Sequence, residues 1–337
     1  MKSIIKKIIP NNTLVYIKHI RTVLDLKKNY RYDLKRFAKS AYGLRNIYTK
    51  NNLRSKITFH YHAIEKGLSN ANIRYNFGET AFEQLFYSMD KYIKLGFPTE
   101  DKRFQSAVSV IQAYVDLHKE NNLRNFKVEN KLNEYLPKFE EENIKLGGYE
   151  VCHKSNLPNY NEIPFNILAE KRYSIREFGT ERINQQDVLD SIQIATKSPS
   201  VCNRQSWNVY YLKELNLIEK VLKIQGGFKG NGQNLKDLIL ITCDNQFMND
   251  SRERNQAYID GGLFTMSLIY GLESKNLATC TLNTNFTIKK DKEIRKLLDI
   301  NISENFIAFI AVGTYPEKFK IAKSPRDNAE IITKIIN

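Results

Sequence analysis

The chain has 337 residues, 42% of them hydrophobic, so it can bury a sizeable core and, against a usual domain of roughly 100 to 200 residues, more than one unit. Its net charge of +15 is uneven: residues 1–60 hold fifteen Lys or Arg against Asp25 and Asp33, a balance of +13, which leaves +2 for the remaining 277. No apolar run approaches the ~18 to 20 residues that a bilayer span needs, and the Lys-rich start lacks the continuous apolar stretch and cleavage site of a secretory signal, so the expectation is a cytoplasmic protein.

Residues 1–56 form a basic arm. Its charges are interleaved with Ile4, Ile5, Ile8, Ile9, Leu14, Val15, Ile17, Ile20, Val23 and Leu24, which predicts amphipathic helices from about Ile4 and again beyond Pro10. The first expectation is a solvated face on helices packed against the rest of the protein. The second is peripheral attachment to an anionic membrane surface. Nucleic acid is disfavoured, because no helix-turn-helix, RNA-binding or zinc-finger signature accompanies the charge.

Residues 57–150 read as a helical accessory region. Phe82, Leu85, Phe86, Met89 and Ile93 recur at three-to-four spacing, as do Phe104, Ala107, Val108, Ile111 and Val115, the mark of buried helix faces. Gly96 and Pro98 punctuate the two. The stretch His60–Ser69, followed by Arg74 and Phe77-Gly78, is dense in functional residue types. His62 with Glu65 and Lys66, three and four apart, shares a helical face. An ion-pair and capping cluster ending a helix before Gly67 is the first reading, contact with a substrate or partner the second. His60 and His62 diverge on a helix, which argues against a zinc pair.

A linker is expected over 151–164, within a longer stretch where Gly147, Gly148, Pro158, Asn159, Asn161 and Pro164 interrupt periodicity. Beyond it, over 165–337, candidate strands are Trp207–Leu212, Leu238–Cys243 and Phe306–Val312, the last apolar enough for a central position. Ile259, Leu263, Met266, Ile269 and Tyr270 mark one face of a long helix, where Gly261 and Gly262 favour close core or dimer contact. Gly226–Gly232 lacks the order of a phosphate-cradling loop and reads first as a surface loop, second as a flap over a bound cofactor. The four cysteines, Cys152, Cys202, Cys243 and Cys280, are scattered, which indicates a reducing compartment and neither a zinc site nor a disulfide framework. Packing is the first reading for Cys202 and Cys280, and Cys152-His153 lacks the further ligands that a metal requires.

Two blocks carry chemistry. Lys171–Phe178 offers Arg172 and Arg176 four apart with the Ser174 hydroxyl between them, a donor set suited to a phosphate through fork geometry and permanent charge. Ser198–Trp207 supplies Ser200, Asn203 and Gln205, and amides that give and take hydrogen bonds at once suit the alternating carbonyl and N–H edge of a flavin.

These blocks resemble the nitroreductase superfamily, whose members have an Arg-x-Ser-x-Arg-like segment and then a Ser-Pro-Ser-x-x-Asn-x-Gln-Pro-Trp-like turn. Tyr258-Ile-Asp-Gly-Gly resembles the start of that family's long central helix, Ala278–Asn283 its loop near the flavin ring, and Lys323–Arg326 its closing basic segment. Ser206 stands where the family usually has Pro, and Asn276-Leu-Ala278 replaces a Gly-Leu-Gly run, which changes the permissiveness of the backbone beside the flavin. The His60–Ser69 stretch resembles a segment that precedes the flavin domain in some longer members, several tied to surface-polysaccharide gene sets.

The resemblance implies an α+β fold with a mixed, mainly antiparallel sheet flanked by helices, and FMN held noncovalently at a homodimer interface. Arg172, Tyr173, Ser174, Arg176, Lys323 and Arg326 are its implied phosphate and ribityl contacts. Ser200, Asn203, Gln205, Thr281 and Asn283 are its implied ring contacts. The implied activity is ping-pong oxidoreduction, in which NAD(P)H reduces the flavin and a small-molecule quinone, nitroaromatic or enone takes the electrons. Redox power resides in the cofactor, so no side chain is singled out as catalytic. A flavin-dependent oxidase and a non-catalytic scaffold docked to a membrane-associated assembly are the alternatives.

Overall fold

The computed structural model describes residues 10–40, 48–138, 146–157, 163–228, 232, 234–248 and 251–336. Helix α1 (Asn11–Ser40) is the helix expected beyond Pro10, and the one expected from Ile4 lies outside the described residues. Val15, Ile17, Ile20, Leu24 and Leu34 on α1 are exposed, and its main contact is a short turn at Ser251–Glu253.

Four helices build the first core. In α2 (Lys50–Leu68) the residues Leu53, Ile57, Tyr61, Ile64 and Leu68 repeat at three and four and are all buried, which commits one face to packing. Thr49 caps its start by accepting a hydrogen bond from the Asn52 amide at 3.2 Å. This face meets α3 (Glu79–Lys94) and α4 (Lys102–Glu120), and α5 (Phe126–Tyr135) closes the cluster with Val128, Leu132 and Tyr135. Gly67 lies inside α2 rather than at its cap: the helix runs on to Ser69, and the Phe77 ring occupies the space beside Gly67, 2.1 Å from where a β-carbon would stand. The cluster expected to end the helix before Gly67 therefore sits within it.

The second core surrounds a four-stranded sheet of order β2 (Trp207–Leu212), β3 (Asp237–Asp244), β5 (Glu304–Thr314), β4 (Leu277–Leu282). All three candidate strands form. Every pairing is antiparallel, so the parallel component expected of a mixed sheet is absent among the described residues. Strand alternation divides the core: Leu238, Leu240, Phe309 and Ala311 face one side with α8 (Leu215–Gln225) and α10 (Ile288–Leu298), while Ile239, Ile241, Ile310 and Val312 face the other with α7 (Gln185–Ala195) and α9 (Gln256–Ser274). Of the paired glycines in α9, Gly261 makes the expected close approach, with Ile307 Cγ1 2.6 Å and Cys243 Sγ 2.9 Å from a built β-carbon. Gly262 has nothing within 4 Å.

Tyr149–His153, within the stretch expected to interrupt regular structure, forms strand β1 and pairs antiparallel with β6 (Lys318–Ala322). The backbone between β6 and α11 (Ala329–Ile332) is clamped onto the accessory helices. Arg103 of α4 donates to Asp327 at 2.8 Å, Arg54 of α2 lies 3.5 Å from the same carboxylate, and Arg54 also pairs with Asp101 at 3.0 Å. The far end of the chain is thus held by helices from its beginning.

Two outcomes follow. Gly261→Ala drives a methyl group into β3 and β5, and overpacking of this kind costs about 1 to 3 kcal/mol, read as a lower urea midpoint with an unchanged slope. The hydrogen bond from Arg103 holds the Asp327 carboxyl below the ordinary carboxylate range. A depressed carboxylate stabilises the fold above its unfolded value near ~4 and loses that contribution as pH falls through the folded value. The difference in melting temperature between the wild type and Asp327→Asn is therefore full near neutrality and shrinks below about pH 4. A difference that is flat with pH removes the clamp from the account.

Candidate flavin site

Segment 172–178 runs extended beside β4, fixed by the Ile175 amide donating to the Thr279 carbonyl at 2.8 Å. Side chains alternate in an extended chain. Ile175 is buried in the sheet core, which turns Arg172, Ser174 and Arg176 to the opposite side. There they line a cavity of about 290 Å³ with Thr58, Tyr61 and His62 of α2 and Ser324, Pro325 and Arg326 of the clamped segment. Among the described residues no carboxylate lines this cavity.

A second cavity of about 400 Å³ shares Arg176 and His62 with the first. One wall is the end of β4, with Cys280, Thr281, Leu282 and Asn283; another is Gln225, Gly227 and Phe228 after α8; the third is Lys66, Gly67, Asn70, Asn72, Arg74 and Phe77 of the accessory region. Gln225 braces two of these walls by donating to the Asn283 carbonyl at 3.1 Å and accepting from the Gly227 amide at 2.7 Å. Gly226 adopts φ +79, the left-handed conformation that ends α8 and that glycine takes without strain. The segment read as a surface loop therefore begins as cavity wall. Lys66 is open to the cavity, yet the surrounding protein strips enough water, with Arg176 adding repulsion, to pull its pKa below the usual lysine value. The Cys280 thiol is pushed up by burial, as fits packing.

The sequence-derived residues separate into two groups. Arg172, Tyr173, Ser174, Arg176 and Arg326 meet in the smaller cavity, and Arg176, Thr281 and Asn283 in the larger. Ser200, Asn203, Gln205 and Lys323 line neither. Lys323 joins the structure through its backbone amide, which donates to Gly148 at 3.3 Å. The turn at 200–205 is exposed, with Cys202, Asn203 and Gln205 all at positive φ, between 50 and 54. Non-glycine residues in that region cost of order 1 to 3 kcal/mol each and need surrounding support. Here the Ser200 hydroxyl accepts from the Gln205 amide at 3.0 Å, the Gln205 amide side chain donates to Asn203 Oδ1 at 3.2 Å, and Asp260 of α9 accepts from the Val201 amide at 3.1 Å.

Thr58, Asn70, Asn72 and Gln225 were not anticipated. A signal existed for the first of these: Thr58, His62 and Lys66 are spaced by four, one stripe of α2 beside its buried face. His62 hydrogen-bonds Glu65 at 3.0 Å and Ser324 at 3.2 Å. The local ion-pair cluster and the cavity wall are thus one structure.

The donor set fits FMN. The smaller cavity offers three guanidinium groups and the Ser174 hydroxyl to a phosphate, and the larger offers polar side chains and a sheet edge to a ring. No curated protein matches the chain significantly. Among solved structures, a nitroreductase with bound FMN from Desulfitobacterium hafniense is 16% identical, with a TM-score of 0.41, over 54% of this chain and 100% of its own. A nitroreductase family protein from Streptococcus pneumoniae is 17% identical, with a TM-score of 0.44, over 51% and 100%. A third, from Clostridium novyi, is 19% identical, with a TM-score of 0.40, over 46% and 87%. The nitroreductase family model matches residues 169–314, which include β2 to β5, most of the larger cavity's wall outside α2 and half of the smaller cavity's, and this part of the chain, similar to the nitroreductase family, is preceded by a helical region.

Proposed function

We propose that the protein is an FMN-dependent oxidoreductase that takes electrons from NAD(P)H and passes them to a small-molecule acceptor of the quinone, nitroaromatic or enone type. The observation that carries this reading is the pair of cavities joined at Arg176 and His62, one cationic and free of carboxylates, the other polar and walled by the end of β4. Bound there, FMN supplies two-electron hydride chemistry. Arg172 and Arg326 are suited to the phosphate through charge-assisted hydrogen bonds, with the Ser174 hydroxyl beside them. Arg176 stands where the two cavities meet, suited to hold positive charge near the ring. The walls at Thr281–Asn283 and Gly227–Phe228 orient the ring and leave one face for the exchanging molecules, which is the arrangement that ping-pong turnover requires.

We further propose that the active unit is a homodimer. An open apolar trough is lined by Phe165, Ile194, Pro199, Ile259, Gly262, Leu263, Met266 and Tyr270, and Ile259 and Leu263 are about half exposed, at 54% and 45%. The strained turn at 200–205 follows Pro199 at the edge of this trough. A second copy seated on α9 accounts for why Ser200, Asn203 and Gln205 line neither of the two cavities: they serve the partner's ring pocket.

The purified protein should be yellow and release FMN on denaturation, and colourless protein that ignores added FMN sinks the reading. Arg172→Ala should weaken FMN binding by roughly 10- to 150-fold, the equivalent of one charge-assisted contact of about 1.5 to 3 kcal/mol, in a variant that keeps its melting profile. Leu263→Lys should shift the protein to monomer by light scattering and lower FMN affinity with it. A dimer that persists places the interface elsewhere.

A further inference from the structure

We propose that the molecule reduced at this site is an organic anion, carrying a carboxylate or a phosphate, and that Lys66 and Arg74 recognise its charge. The inference rests on the flavin reading above and adds to it the class of acceptor.

The argument is an inventory of charge. FMN brings one phosphate, and the smaller cavity meets it with Arg172, Arg326 and the shared Arg176. The larger cavity contains two further cations, Lys66 and Arg74, and no Asp or Glu in its lining. Neither cation has an ion-pair partner among the described residues, although Arg54, Arg103, Arg124 and Arg204 each have one. Crowding by protein and repulsion from Arg176 already act against the Lys66 charge. Both side chains reach solvent, yet cations gathered on a wall without carboxylates repel one another, and a bound anion relieves that repulsion. The oxidised flavin ring carries no formal charge, so the compensating anion belongs to a molecule that exchanges beside it; we assign it to the acceptor, and the KM for the phosphate-bearing nicotinamide donor separates the two.

The backbone that carries the two cations is fixed. Lys66 projects from the same stripe of α2 as His62. Arg74 stands on the 69–78 loop, whose end is pinned by Phe77 packed over Gly67, by the Asn76 amide donating to His118 at 3.0 Å and by the Tyr114 hydroxyl donating to the Phe77 carbonyl at 3.4 Å. Both residues lie outside 169–314. The anion preference is therefore a property that the accessory helices confer on the flavin domain.

The test uses the full-length FMN-loaded protein and equilibrium binding, read from the perturbation of the flavin absorbance by benzoate, phenyl phosphate and the neutral benzamide. Benzoate or phenyl phosphate should bind at least about 10-fold tighter than benzamide, and the tighter of the two identifies the oxyanion. Lys66→Gln and Arg74→Gln should each reduce that preference by about 10-fold or more, as expected for loss of one charge-assisted contact, while Lys66→Arg should restore most of it. Equal binding of benzoate, phenyl phosphate and benzamide by the wild type overturns the proposal. So does a Lys66→Gln variant that loses FMN as severely as Arg172→Ala, since the cation then belongs to the flavin. A third overturning result is an effect confined to the KM for NADH or NADPH with menadione as acceptor, which assigns the cations to the donor. Failure to bind FMN at all removes the underlying reading as well, and a colourless protein distinguishes that case at once.

Discussion

The structure turns on one buried carboxylate. Glu65 has no exposed surface, and a charge taken out of water must be matched by hydrogen bonds or its burial is strongly unfavourable. One of its oxygens accepts from the Gly148 amide at 3.1 Å and the other meets His62 Nδ1 at 3.0 Å. Gly148 immediately precedes β1, and its carbonyl accepts from the Lys323 amide just beyond β6. The ring of His62 also reaches Ser324. A single side chain on α2 therefore fixes the start of one strand, the exit of its partner and the orientation of a cavity residue. With Asp327 held by Arg103 a few residues later, the backbone carrying Arg326 has little freedom.

This constraint explains which parts of the site were legible in the sequence. Arg172, Ser174 and Arg176 were readable because period-two alternation in an extended segment is a local rule, and Ile175 buried between them enforces it. The strands were readable because apolar runs such as Phe306–Val312 leave few other options. The wall contributed by α2 was visible only as a dense cluster, since whether Lys66 points into a cavity or into solvent depends on where Gly148 and Ser324 come to lie, more than eighty and two hundred residues away. Strand β1 was missed for the same reason: glycine and proline around Tyr149–His153 signal irregular chain, and its pairing with β6 is a tertiary fact. The capping reading of Gly67 failed because a glycine near a helix end has two uses, and here the absent β-carbon makes room for Phe77.

Physical grounds weigh against an inert scaffold. A fold kept only for docking has no need to maintain cations facing a cavity or a turn with three non-glycine residues at positive φ, since both oppose stability. Strain and unpaired charge persist where surrounding structure enforces them, and the enforcement here is specific: Asp260 on the Val201 amide, Ser200 on Gln205, Gln225 across two walls. The three positive-φ residues within 202–205 lie at the edge of the apolar trough, and Gln225 spans the larger cavity.

The division of labour between the halves of the chain has a chemical logic. Hydride transfer through a flavin demands little of the protein beyond holding the ring and excluding water, so a flavin domain alone discriminates poorly among oxidised acceptors. Selectivity needs contacts that reach the exchanging molecule and are worth more for one chemical class than for another. The accessory helices are placed to supply them, because the stripe of α2 that carries Thr58, His62 and Lys66 runs along both cavities. Since the same helices hold Asp327 and Gly148, the face that selects cannot be loosened without disturbing the segment that carries Arg326. On the proposed reading, cofactor binding and substrate choice are thereby coupled through one helix.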